Sequence, residues 1–179
     1  MAGSGMILIR EVADAPVIMG ISKPAGLKSP CGEVKIMNPL FVGIDVSSRN
    51  NVAYLMKPDG SKHSSFSVQN NLGGAKILSE RIVSALESVP LSDLVIGLEA
   101  TSIYGDSLVY ALREDGSLGR FQRKIHVLNP KQVRKFKEAY PDLPKNDWVD
   151  AFVIADHLRF GRIAKEVYMD DYRYQALRT

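Results

Sequence analysis

Two short apolar runs that each end in a carboxylate constrain the fold more than any other feature of this chain. Leu40-Phe41-Val42-Gly43-Ile44 is closed by Asp45, and Leu94-Val95-Ile96-Gly97-Leu98 is closed by Glu99. Neither run carries the alternation of a half-buried strand, and both are too short for a helix of ordinary length. They read as strands covered on both faces. A strand covered twice needs helices above and below it, which points to an α/β layout. The acid that ends such a strand stands at a sheet edge facing solvent.

The rest of the pattern fills in that layout. Residues 41–46 predict a first strand and 51–57 a second. Asp59-Gly60 turns the chain into a third strand at 63–68. Asn70 or Asn71 caps a helix from Leu72, with Ile77, Ile82, Val83 and Leu86 at roughly helical spacing. Residues 94–98 form the fourth strand, and Thr101 or Ser102 caps a helix carrying Leu108, Val109 and Leu112. Residues 124–128 read as a fifth strand, followed by a basic helix from Pro130 to about residue 139. Two prolines mark 140–145 as a loop. The last helix spans 147–159, with Phe152, Ile154, Ala155 and Leu158 as candidate core. The order βββαβαβαα matches the RNase H-like fold, a mixed five-stranded sheet flanked by helices.

Residues 1–38 differ. Gly3, Gly5, Pro16, Gly20, Pro24, Gly26, Pro30 and Gly32 interrupt short apolar runs that show no period, so a loosely structured extension is expected there. Met37 could serve as a start in its own right. The single cysteine, Cys31, excludes an internal disulfide and a thiolate zinc site, and fits a reducing cytoplasm. No apolar stretch reaches the ~18 residues of a membrane span, and Arg10, Glu11 and Asp14 cut short the apolar run at 6–9.

Asp147 and Asp150 open the last helix three residues apart, on one helical face. Gathered with Asp45 and Glu99, they would repel one another unless cations neutralised them. Hard oxygen ligands suit Mg²⁺ or Mn²⁺, and a pair of such ions is a common engine of phosphodiester chemistry. Each acid also has a plainer reading. Asp45 could serve a turn, Glu99 could cap the helix near Ile103, and Asp147 with Asp150 resembles a capping box. What favours the functional reading is that they fall at matching ends of elements. Between residues 120 and 137 stand seven cations and no acid: Arg120, Arg123, Lys124, Lys131, Arg134, Lys135 and Lys137. The run is either a solvated face or a phosphate-binding flank of the acidic site. The net charge of +3 is too mild to argue for either. His63, His126 and His157 lack ligand spacing. Trp148 would pack beneath its helix or stack on a base. Asn71-Leu72-Gly73-Gly74 lacks the lysine of a phosphate loop and reads as the start of a helix.

Four ordered blocks carry a family resemblance: residues 41–47, 97–104, 128–133 and 145–151. Phe-Val-Gly-Ile-Asp-Val-Ser, Gly-Leu-Glu-Ala-Thr-Ser-Ile-Tyr, Leu-Asn-Pro-Lys-Gln-Val and Lys-Asn-Asp-Trp-Val-Asp-Ala are similar to blocks of the DEDD-type transposases of insertion-sequence class one-ten, relatives of the Piv invertases. The resemblance spans about residues 40–165. It implies a RuvC-like catalytic domain at 39–165, with Asp45, Glu99, Asp147 and Asp150 as its catalytic, metal-binding quartet for two Mg²⁺ or Mn²⁺ ions. It implies DNA recombination, oligomeric assembly as a homo-oligomer and, in many members, a structured guide RNA. Ser102 replaces a common glycine and Asn146 a common threonine. Family members also carry a C-terminal domain that supplies a nucleophilic serine, so residues 166–179 are expected to begin a linker toward such a domain. Two rival readings are a sugar-kinase or actin-like ATPase lobe and an inactive nucleic-acid-binding remnant. The former needs a glycine-rich loop after Asp45, where Val46-Ser47-Ser48-Arg49 offers none.

Overall fold

The computed structural model describes residues 38–89, 91–99 and 103–161. The chain divides into two units, Met1–Lys35 and Ile36–Thr179, and every described residue belongs to the second. The expected extension at 1–38 falls almost wholly outside the described residues, as do Cys31, Met37, the candidate caps Thr101 and Ser102, and the tail at 166–179.

Among the described residues, five strands and five helices follow in the order β1 Pro39–Val46, β2 Asn50–Met56, β3 Lys62–Gln69, α1 Leu72–Ser88, β4 Asp93–Glu99, α2 Ile103–Glu114, α3 Gly116–Gly119, β5 Gln122–Leu128, α4 Pro130–Lys137 and α5 Asp147–Arg159. The sheet order is β3-β2-β1-β4-β5. β2 is antiparallel to both β1 and β3, whereas β4 runs parallel to β1 and to β5. An antiparallel meander joined to parallel crossovers in this order is the RNase H-like arrangement. The β2–β3 turn works as Asp59-Gly60 suggests. Gly60 takes the positive φ of 86° that side chains resist, and Asp59 Oδ1 accepts from the Ser61 N–H at 2.9 Å.

The two faces of the sheet are built differently. Leu40, Val42, Ile44, Leu94, Ile96 and Leu98 point to one face, where they join Leu78, Ile82 and Leu86 of α1, Leu108, Val109 and Leu112 of α2, and Leu118 of α3. Alternate residues Phe41 and Val95 point to the other face and meet Ile154, Ala155 and Leu158 of α5 and Val133 of α4. Burying a large aliphatic side chain contributes about 1.5–3 kcal/mol, so both faces stabilise the sheet. Because helices cover both, the central strands are apolar throughout rather than alternating.

Three expectations need adjusting. The face of α1 that packs on the sheet carries Leu78, while Ile77 is 47% exposed. β5 begins at Gln122, earlier than its apolar residues, because an edge strand tolerates an exposed Lys124 and an Arg123 whose guanidinium finds partners at the end of α2. The turn of helix α3 was not anticipated. Asp115 caps it through the Ser117 N–H at 2.8 Å, and Leu118 is its fully buried anchor.

Candidate active site

Strand register brings the first two acids together. Ile44 is paired with Leu98, so Asp45 and Glu99 follow at the same level on neighbouring parallel strands. Adjacent strands lie about 4.8 Å apart, and residues at matching register point to one face. That face is the one Gly43 and Gly97 open to α5. A Cβ on Gly43 would lie 2.1 Å from the Ala151 carbonyl oxygen and 2.4 Å from the Ala155 nitrogen. A Cβ on Gly97 would lie 2.8 Å from Leu158 Cδ2. Gly43 and Gly97 are themselves register partners. The pair forms a bare platform two residues before each acid, on which the α5 backbone rests at Gly43 and the Leu158 side chain at Gly97.

The same helix brings the other two acids. Asn146 is the N-cap of α5, its side chain accepting from the Val149 N–H at 2.9 Å. This disposes of the capping-box alternative, because Asn146 already makes the cap and neither Asp147 nor Asp150 is needed for it. Asn146 itself therefore supplies the capping chemistry. Asp150 precedes Ala151, which sits over Gly43, so its carboxylate projects toward the end of β1. Asp147, one turn earlier, is exposed.

The carboxylates sense one another. Burial, followed by the charges of Asp150 and Asp147, pushes the Asp45 carboxyl up to about 6, against a partial opposing pull from Lys137. Glu99 is raised by burial and then by Asp45 and Asp150, with Lys137 and Arg134 acting in the other direction. Among the described residues, no three acids, histidines or cysteines yet close into a ligand set. The acids are near enough to disturb each other's ionisation without standing at coordination spacing. One oxygen of Asp150 is taken by the Lys137 ammonium.

The basic run splits into two parts. Arg120 pairs with Glu87 at 2.6 Å on an exposed surface. Arg123 donates to the carbonyls of Leu112 at 2.7 Å, Arg113 at 2.6 Å and Asp115 at 3.1 Å, closing the end of α2. It is partnered in register with Leu94, five residues before Glu99, and Lys124 with Val95. At about 3.3 Å per residue, these side chains stand roughly 13–16 Å from the acids, toward the opposite end of the strands. Lys131, Arg134, Lys135 and Lys137 lie on α4, beside the acidic end, with Lys131, Arg134 and Lys135 exposed.

The remaining candidates fall elsewhere. His63 bridges Ser64 and Ser88, each at 3.1 Å, while His126 and His157 are buried. Among the described residues, none forms a three-ligand cluster with the acids. Asn71 caps α1 through the Gly74 N–H at 2.8 Å, as the start of a helix should. Trp148 is 44% exposed, so of its two readings packing beneath the helix does not hold. What sequence reasoning missed is Gly43 and Gly97. A glycine in the middle of each apolar run, two residues before its acid, was the available signal.

The IS110-class DEDD transposase family, described as "Transposase", has a family model that matches residues 42–179, more than half the chain. The chain belongs to this family. The DEDD transposases thus supply the kinship that the four sequence blocks suggested, and the phosphate-loop lobe drops out. The β1–β2 turn is closed instead by Ser47, which bonds both the N–H and the carbonyl of Asn50. No curated protein matches the chain significantly. Among solved structures, RuvC of Thermus thermophilus is similar over 73% of this chain and 98% of its own, at 13% identity and a TM-score of 0.48. The same RuvC in complex with a Holliday junction substrate gives 12% identity, the same coverage and a TM-score of 0.48. A Fowlpox virus resolvase in complex with Holliday junction DNA covers 70% and 95% of the two chains, at 16% identity and a TM-score of 0.37. Among the described residues, no helix is long and apolar enough to cross a membrane.

Proposed function

We propose that this transposase domain cleaves DNA phosphodiesters with two divalent metal ions held by Asp45, Glu99, Asp147 and Asp150. The observation that carries the reading is geometric: strand register sets Asp45 and Glu99 side by side, and α5, whose backbone rests on Gly43, brings its first turn with Asp147 and Asp150 to the same strand ends. Their donor set consists entirely of carboxylate oxygens, which suits Mg²⁺ or Mn²⁺. Burial and crowding make the ionised cluster costly without a cation, so the residues present fit such ions. Asp45, nearest the centre, would be the shared ligand, with Glu99 on one side and Asp147 and Asp150 on the other. A divalent ion, when bound, supplies Lewis acidity at phosphate oxygens and an easily deprotonated water.

The protein's other residues would orient the strand. Lys131, Arg134 and Lys135 present cations beside the acids, where a DNA backbone would meet them. A guide RNA would offer the same phosphates to the same side chains. The exposed indole of Trp148, between Asp147 and Asp150 in the chain, is available to stack on a base. Arg120, Arg123 and Lys124 fit this role less well, for reasons of position and, in Arg120 and Arg123, of partners already made.

The test is nicking of supercoiled plasmid in Mn²⁺. The parent should nick in a metal-dependent manner, and Asp45→Asn should lose activity on the order of a hundredfold or more. Equal nicking by both proteins would refute the assignment.

A further inference from the structure

The cations of α4 differ in where they are aimed. Lys131, Arg134 and Lys135 are exposed, whereas the Lys137 side chain is only 29% exposed and ends on Asp150. Packing fixes its position. The preceding residue, Phe136, meets His157, Phe160 and Tyr140 edge-on, with centroids 4.9, 5.6 and 5.8 Å away. Those contacts tie the last turn of α4 to α5 and its connecting loop. The ammonium also favours the ionised forms of Asp45 and Glu99. Ordering a long lysine side chain costs rotamer entropy, and relief of repulsion among crowded carboxylates offsets it here.

We propose that Lys137 is the resident counter-cation of the metal-free site, held on Asp150 until a divalent ion takes that carboxylate and then released toward the phosphate of bound nucleic acid. The inference rests on the metal-binding reading of the acids. It makes lysine and metal competitors for one oxygen, so removing the lysine should strengthen metal binding. A lysine with a merely structural role would leave metal affinity unchanged or lower it. Lys137 is in this sense a positioning residue, acting through Asp150 before nucleic acid arrives.

Calorimetric titration of the whole chain with Mn²⁺ tests this. Lys137→Met should bind Mn²⁺ roughly five- to tenfold more tightly than the parent and melt lower without metal. Lys137→Arg, which keeps the charge, should resemble the parent in both respects. Lys137→Gln carries the same test should the methionine variant fold poorly. An affinity in Lys137→Met equal to or below the parent's would overturn the proposal and leave the metal site standing. No Mn²⁺ binding by the parent would overturn both. For the release step, duplex DNA affinity is measured against salt with and without saturating Ca²⁺. With Ca²⁺ the parent's log–log slope should be steeper than that of Lys137→Met by about one, and without it the slopes should agree. Equal slopes in Ca²⁺ would remove the release toward phosphate.

Discussion

The sheet of this transposase domain shows two faces made from the same two strands. On the face toward α1 and α2, Val42, Ile44, Ile96 and Leu98 fill the space between layers with aliphatic bulk. On the face toward α5, Gly43 and Gly97 remove side chains altogether, and the helix comes to rest there, with its backbone on Gly43 and its Leu158 side chain on Gly97. The first arrangement stabilises the fold and would serve in any α/β protein. The second gives up buried side-chain surface for a close approach, and that approach delivers Asp150 to Asp45.

That contrast predicts separable effects. Ile96→Ala should cost about 2–5 kcal/mol by leaving a cavity, yet keep the metal response, because it lies on the packing face. Gly43→Ala should cost about 1–3 kcal/mol or more, since backbone atoms of Ala151 and Ala155 have nowhere to yield, and it should abolish the metal response. Thermal melts of both variants with and without Mg²⁺ check the pair. A Gly43→Ala protein that still responded to Mg²⁺ as the parent does would break the link between platform and site.

The basic run sharpens the same point at a smaller scale. Arg123→Met should destabilise by about 2 kcal/mol through lost carbonyl contacts, and leave the salt dependence of DNA binding unchanged. Replacing Lys131, Arg134 and Lys135 with alanine should do the reverse, flattening the log affinity against log salt slope by roughly three with little loss of stability. Filter binding across a salt series, beside denaturant melts, separates the two.

Much of this was legible in the sequence. The strands announced themselves as uninterrupted apolar runs, since burial on both faces leaves no polar alternation to confuse the signal. α5 could be bounded at 147–159 because its acids and its apolar spacing agree. Other features depended on partners distant in the chain. Nothing local distinguishes Arg123, bonded to the end of α2, from Lys135, which faces solvent. The direction of Lys137 is set by the packing of Phe136 against α5. Asn146 rather than an acid capping that helix needed the backbone geometry, as did the choice between packing and exposure for Trp148.

A subtler effect follows from the raised carboxyls. The folded protein holds the Asp45 proton more tightly than the unfolded chain does. Metal-free stability from this group is therefore fully present below 3.8 and is lost as pH rises through about 6. Glu99 acts in the same direction. Asp45→Asn should flatten that decline, which melts of the metal-free proteins between pH 4 and 7 would reveal. An equally steep decline in the variant would mean that Asp45 is not the group responsible. The metal contribution has the opposite sign and should grow over the same interval, because the ion binds the ionised form.

The most direct measurement is the melting temperature of the parent and of Asp45→Asn, each with and without saturating Mg²⁺ at pH 7.5. A ligand bound by the folded form alone should raise the parent's melting point by roughly 5–10 °C. Asp45→Asn should melt higher than the parent without metal, relieved of repulsion, and show no rise when Mg²⁺ is added. If the two proteins responded to Mg²⁺ identically, Asp45 would not be a metal ligand, and the convergence of the four acids would need another explanation.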